Sequence, residues 1–272
     1  MSDWFLQPEH GVRFEWGPIG ARQMAQDAAC LVVVDVLSFT TSVTVAVEAG
    51  TQVFPYAWRD ETAVAFARNK AAALAVGRRA ATSAAPWSLS PAALRNAPFT
   101  PRLVLPSPNG SAIAAAAGDA TVVAGCLRNA TAVGRWLARH DYGTAQRPVV
   151  VIAAGERWPD GSLRPALEDL LGAGAIIDAL ESRGVGPLSP EAAAARGCFV
   201  QTADVVSAVA AGSSGRELTR SGFADDVAIA TELDAGATVP VLTGGAFDDS
   251  TDETGPLPNQ WHRPSRLPGD VT

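Results

Sequence analysis

The sequence predicts an α/β domain whose mostly parallel or mixed sheet is covered by helices on both faces. Three observations predict it. Strand-sized apolar runs recur along the chain, and each is followed by a small polar loop and then a helical pattern. The first run, Leu31-Val-Val-Val-Asp-Val36, is almost continuously β-branched, as befits a strand buried on both sides. The 272 residues are 47% hydrophobic and 18% charged, enough apolar material for a substantial core.

The elements follow in order. After Leu31–Val36 comes the polar loop Ser38-Phe-Thr-Thr-Ser42, and Val43 to Ala49 reads as a short helix stopped by Gly50. Val53 to Ala57 is a second strand, and Asp60 caps a helix expected to run to about Ala75. Leu103 to Leu105, Thr121 to Ala124 and Val149 to Ala153 are further strands, with helices starting near Ser111, Thr131 and Pro165. Residues 84–101 hold four prolines and read as irregular surface. Residues 190–237 are expected to be mostly helical, and Val239 to Leu242 a last strand. One domain over residues 1–247 is expected, followed by an acidic, proline-rich and poorly ordered tail over 248–272.

Composition excludes several function classes. With 21 Lys and Arg against 28 Asp and Glu, the net charge is −7, and no basic stripe exists to bind a nucleic-acid backbone. No apolar run approaches the ~18 residues of a membrane span. The start of the chain shows no secretory signal, so a cytoplasmic protein is expected, with a homo-oligomer left open. Cys30, Cys126 and Cys198 support neither a disulfide framework nor a zinc site. There is no P-loop, and Gly172-Ala-Gly174 lies in a helical stretch without the third glycine of a dinucleotide loop.

Ligands of open α/β sheets bind beyond the carboxyl ends of the strands, where helix N-termini suit anions. The residues there are informative. Asp35 interrupts an apolar strand, and burying an unpaired carboxylate is costly, so it is a candidate for chemistry. Thr40 and Thr41 follow it; helix capping explains such hydroxyls equally well. Asn109, Gly110 and Ser111 form either a tight turn or an oxyanion loop. Arg128 and Asn129 stand at a helix start, where the arginine fork suits phosphate and the asparagine suits a cap. Glu156 follows a buried strand and is a candidate acid or base. Glu168 and Asp169 open a helix, as does the segment containing Arg216, and ordinary helix chemistry accounts for each alone. Jointly, oxygen ligands without His or Cys clusters point to a hard cation, Mg²⁺ before Zn²⁺, and so to phosphoryl chemistry on a small anionic phosphorylated substrate.

Five of these segments, in this order, resemble the 2-phosphosulfolactate phosphatase family: Asp35-Val-Leu-Ser-Phe-Thr-Thr41, Asn109-Gly-Ser111, Arg128-Asn-Ala130, Ala154-Gly-Glu156 and Glu168-Asp-Leu-Leu-Gly-Ala-Gly174. The resemblance implies a three-layer α/β/α fold and a Mg²⁺-dependent phosphatase converting 2-phosphosulfolactate to 3-sulfolactate and phosphate, a step of coenzyme M biosynthesis. On that basis Asp35, Glu156 and Arg128 are the expected catalytic residues. Thr40, Thr41, Asn109, Gly110, Ser111, Asn129 and Arg216 are expected to bind substrate, and Asp35, Glu168 and Asp169 to hold the metal. One departure stands out: the family pattern has Arg where this chain has Ser38. A lost guanidinium implies a less anionic ester as substrate, or another arginine in its place. A non-catalytic anion binder on the same scaffold is the rival reading, but gathering carboxylates around an anion argues against it.

Overall fold

A computed structural model of the chain describes residues 3–57 and 60–250. Its strands are β1 (Val12–Trp16), β2 (Cys30–Val34), β3 (Gln52–Tyr56), β4 (Ala73–Leu74), β5 (Arg102–Pro106), β6 (Thr121–Gly125), β7 (Val149–Ala153), β8 (Glu156–Arg157), β9 (Leu163–Arg164), β10 (Pro240–Thr243) and β11 (Ala246–Asp249). Its helices are α1 (Gly17–Met24), α2 (Phe39–Glu48), α3 (Glu61–Asn69), α4 (Pro91–Asn96), α5 (Gly110–Ala116), α6 (Ala130–Arg139), α7 (Leu167–Glu181), α8 (Pro190–Gln201), α9 (Val205–Ala211), α10 (Ser213–Arg220) and α11 (Ala224–Ala230).

Nine strands form one mixed sheet in the order β1-β7-β2-β6-β10-β11-β3-β5-β4, and β8 and β9 form a separate hairpin. β1, β7, β2 and β6 are mutually parallel, as are β3, β5 and β4. The β10–β11 hairpin joins the two groups through antiparallel pairings on both sides. Its turn is Gly244-Gly245, both at positive φ (60° and 88°), the conformation a two-residue hairpin needs and glycine supplies without strain.

The buried run of β2 shows why the fold has three layers. Cys30, Val32 and Val34 face one cluster, shared with Leu137 of α6, Ile176 and Leu180 of α7 and Ala195 of α8. Leu31 and Val33 face the other, shared with Met24 of α1, Val43 of α2 and Ile113 of α5. Alternation sends every side chain of the strand into one core or the other, so the whole run is apolar. Helix starts are set locally: Asp60, Ser90, Ser189 and Asp204 each accept a backbone N–H in the first turn of the helix they precede.

The structure departs from the sequence reading in several places. The helix after Asp60 stops at Asn69, and its expected last turn is β4, paired with β5. The irregular stretch 84–101 contains α4, with Pro91 in its first turn. The last strand is antiparallel and has a partner, β11, which takes up Asp248 and Asp249 from the expected tail. Gln52 donates to Asp248 Oδ2 at 2.9 Å, and the Val239 amide to Asp249 Oδ1 at 3.2 Å. Residues 251–272 of that tail lie outside the described residues. Among the described residues no helix is long and apolar enough to cross a membrane.

Candidate active site

The carboxylates converge where β2 and β7 end and α7 begins. Asp35 directly follows β2 and is buried. Its loop is braced from within. The Asp35 amide donates to Thr40 Oγ1 at 3.0 Å, and that hydroxyl donates to the Asp35 carbonyl at 2.9 Å. Thr41 Oγ1 donates to the Val36 carbonyl at 2.6 Å. Both hydroxyls therefore shape the Asp35 loop, each bonded to a carbonyl of its own segment.

Asp169 spans two strand ends. Its Oδ1 accepts from the Val36 amide at 2.8 Å and its Oδ2 from the Gly155 amide at 2.8 Å. It is buried, and burial, with the charges of Asp35 and Glu168, pushes its pKa well above the ordinary carboxylate range. Glu168 is also buried. The Asp35 carboxyl is raised to about 6, first by burial, although the amides of Phe39 and Gly110 and the Arg78 guanidinium pull the other way. Asp35 Oδ2 is buried without a hydrogen-bond partner. Glu156, half-buried at the start of β8, is raised to about 7 by burial and by the charges of Asp35 and Glu168.

The loop after β5 reaches this cluster from the other strand group. Asn109 Nδ2 donates to the Gly155 carbonyl at 3.3 Å, and Arg157 Nε donates to Asn109 Oδ1 at 3.2 Å. A Cβ on Gly110 would stand 2.3 Å from Phe39 Cδ1, so only glycine lets this loop lie on the start of α2. The Gly110 amide faces the Asp35 carboxylate, where a bound oxyanion was expected. Ser111 Oγ is buried and points at the Leu105 carbonyl, 3.4 Å away, so it too serves its own turn.

Three expected site residues lie elsewhere. The Arg128 guanidinium is buried and donates to Glu48, at the far end of α2, and to Glu232. Two carboxylates take its Nη1 and Nη2, which makes it a structural ion pair in this structure, while its buried Nε has no hydrogen-bond partner. Asn129 is fully buried and bonds the Cys126 amide, the Ala124 carbonyl and the Thr238 carbonyl, so here it caps and ties backbone. Arg216 stands exposed on α10. Its neighbour Glu217 is the residue of that helix whose charge is felt at Glu156.

Arg78 belongs to the site and was not singled out from sequence. It donates through Nη2 to the Leu37 carbonyl and through Nε to Asp226 Oδ2 at 2.9 Å. Asp226, in the first turn of α11, is buried and also accepts from Ser90 Oγ at 2.5 Å and the Ala92 amide at 3.0 Å. The available signal was Arg78-Arg79 alone among the small uncharged residues of 71–85.

Among the described residues no three His, Cys, Asp or Glu side chains close on one point as a ligand set. The expected trio of Asp35, Glu168 and Asp169 is therefore not assembled as three ligands. Asp169 is turned toward backbone amides, while Asp35 keeps an oxygen free.

A buried acidic cluster at strand ends, with one proton-bearing glutamate and an adjacent guanidinium, is equipped to bind and hydrolyse a phosphate ester. Among curated proteins none matches the chain significantly. A family model described as 2-phosphosulpholactate phosphatase matches residues 19–245, so the chain belongs to that family and is a phosphoric monoester hydrolase.

Proposed function

We propose that the protein hydrolyses 2-phosphosulfolactate to 3-sulfolactate and phosphate with Mg²⁺, the reaction used in coenzyme M biosynthesis. The observation that carries the metal is Asp35 Oδ2, a buried carboxylate oxygen without a partner beside a second buried acid, Glu168. Mg²⁺ is commonly held by one or two carboxylates together with substrate phosphate oxygens and water, so a two-carboxylate site fits it. Asp35 and Glu168 hold the ion in this reading. Bound there, it supplies positive charge to the phosphate and to the leaving oxygen.

The chain's own groups do the rest. Asp169 keeps the ends of β2 and β7 in register by bonding an amide from each segment. Glu156, whose carboxyl pKa burial raises above the ordinary range, gives its proton to the leaving alcohol oxygen as a general acid. Asn109, tied to the Gly155 carbonyl, sets the distance between the β5 loop and the β7 end. The test is a phosphate-release screen over small phosphorylated acids, run with Mg²⁺ and after chelation. Release from 2-phosphosulfolactate that stops on chelation supports the reading. Full turnover by metal-stripped protein removes its metal, and turnover confined to a different ester removes its substrate.

A further inference from the structure

The carboxylate cluster is acidic, yet a sulfonated phosphate ester carries negative charge at its far end as well. Something must hold that end away from Asp35, Glu156 and Glu168. Arg78 is the cation placed to do so. Its charge is felt at Asp35, and Nη2 sits on the carbonyl of Leu37, next to the short neutral side chain of Ser38. Nε is fixed by the buried Asp226, which Ser90 and Ala92 hold in turn. Nη1 makes no hydrogen bond among the described residues. The guanidinium is thus oriented on two sides and open on the third.

Arg78 also lines a cavity of about 370 Å³, together with Arg79, Glu217, Ser221 and Phe223. Arg79 is oriented as well, donating to Ser221 Oγ at 3.1 Å. Arg78 links the cavity to the carboxylates, because the same guanidinium that lines it donates to the Leu37 carbonyl, two residues beyond Asp35. Two oriented arginines suit a carboxylate or sulfonate, whose oxygens a guanidinium meets in one plane.

We propose that Arg78, with Arg79 beside it, is the specificity determinant that anchors a second anionic group of the substrate. The charge absent at Ser38 is then supplied from the segment between β4 and α4, which takes the second of the two expectations, another arginine in its place. This rests on the phosphatase reading for the phosphate end.

The experiment compares kcat/KM for 2-phosphosulfolactate and for glycerol 2-phosphate, whose tail is uncharged, in wild type, Arg78→Gln and Arg78→Lys. Arg78→Gln should cut the ratio of the two at least tenfold, chiefly through KM for the sulfonated ester, with Arg78→Lys between. An unchanged ratio in both variants overturns the proposal. Because Arg78→Gln leaves Asp226 buried without its cation, Arg78→Gln/Asp226→Asn carries the same test if the single variant does not fold. Calorimetric binding of 2-phosphosulfolactate separates the two readings. If wild type turns over neither ester, the phosphatase reading falls. A tenfold weaker Kd in Arg78→Gln then keeps the anchor, and an equal Kd removes it.

Discussion

The Val36 amide donates to Asp169 Oδ1 at 2.8 Å across 133 residues of sequence. The other oxygen of the same carboxylate takes the Gly155 amide at 2.8 Å. An asparagine can accept with only one of its two heads, so Asp169→Asn turns an NH₂ toward a backbone N–H. The expected cost is about 1–3 kcal/mol for the buried amide left unpaired, together with a fall in kcat as the ends of β2 and β7 drift. Urea denaturation and phosphate release measure the two effects. Wild-type stability in this variant would show that the paired amides do not hold the site together.

Asp35→Asn should behave in the opposite sense toward stability. Burial makes the charged form of Asp35 unfavourable, and Oδ2 has no partner to offset it. The neutral amide therefore raises the melting temperature of metal-free protein at pH 8, while kcat drops by about 10² or more because an amide brings no charge to the ion. Thermal melts in chelator and steady-state rates in Mg²⁺ check both signs.

Glu156 gives a pH prediction with a definite sign. Its pKa is raised on folding from about 4.5 to about 7, so the native state binds its proton more tightly. The stability this contributes is complete below about pH 4.5 and is lost as pH rises through about 7. In metal-free protein the stability of wild type relative to Glu156→Gln should fall across that window and level off above it. A flat difference from pH 4.5 to 8 would mean that Glu156 titrates normally. Activity in Mg²⁺ should decline as pH rises and the acid that protonates the leaving oxygen is lost, with a midpoint below that of the metal-free protein, because the ion offsets the charges of Asp35 and Glu168 that raise Glu156.

Metal binding should relieve the same crowding. Mg²⁺ should raise the melting temperature most at pH 8, where Asp35 is ionised, and little at pH 5, where it is protonated and the ion must displace a proton. Equal shifts at both pH values would place the ion away from Asp35.

Arg128→Ala separates architecture from chemistry. The variant leaves Glu48 without its cation, while Glu232 keeps the bidentate pair with Arg95; both acids are partly exposed, so the cost should stay below the 3–5 kcal/mol of a fully buried pair, at about 3 kcal/mol or less. Folded protein should keep kcat within about twofold of wild type. A hundredfold loss in folded Arg128→Ala would return the residue to the site.

The sequence carried the central strands and the acids because both signals are local. A continuous apolar run marks β2, and a carboxylate at its end is costly enough to need a reason. What it could not carry is who meets whom. Asn129 and Arg128 have the right chemistry for phosphate at the right end of a strand, yet each is engaged by a partner that only the tertiary structure supplies, while Thr40 is engaged within its own loop. Arg78 was hidden for the converse reason: it sits in a segment without a hydrophobic period and enters the site through Asp226, 148 residues away. β1 and β4 were missed because β1 mixes Arg13 and Glu15 into its run, while β4 is two residues long.

The place of the β10–β11 hairpin also bears on how the protein is made. These strands lie in the middle of the sheet but come last among the described residues. During synthesis every other strand leaves the ribosome before the two that join them. Until residue 249 is free, β6 and β3 each have one bare edge, the kind of edge that recruits strands from other chains. Pairings this distant in sequence also form slowly. The nascent chain therefore carries two half-sheets open to intermolecular pairing, and a single late insertion closes both.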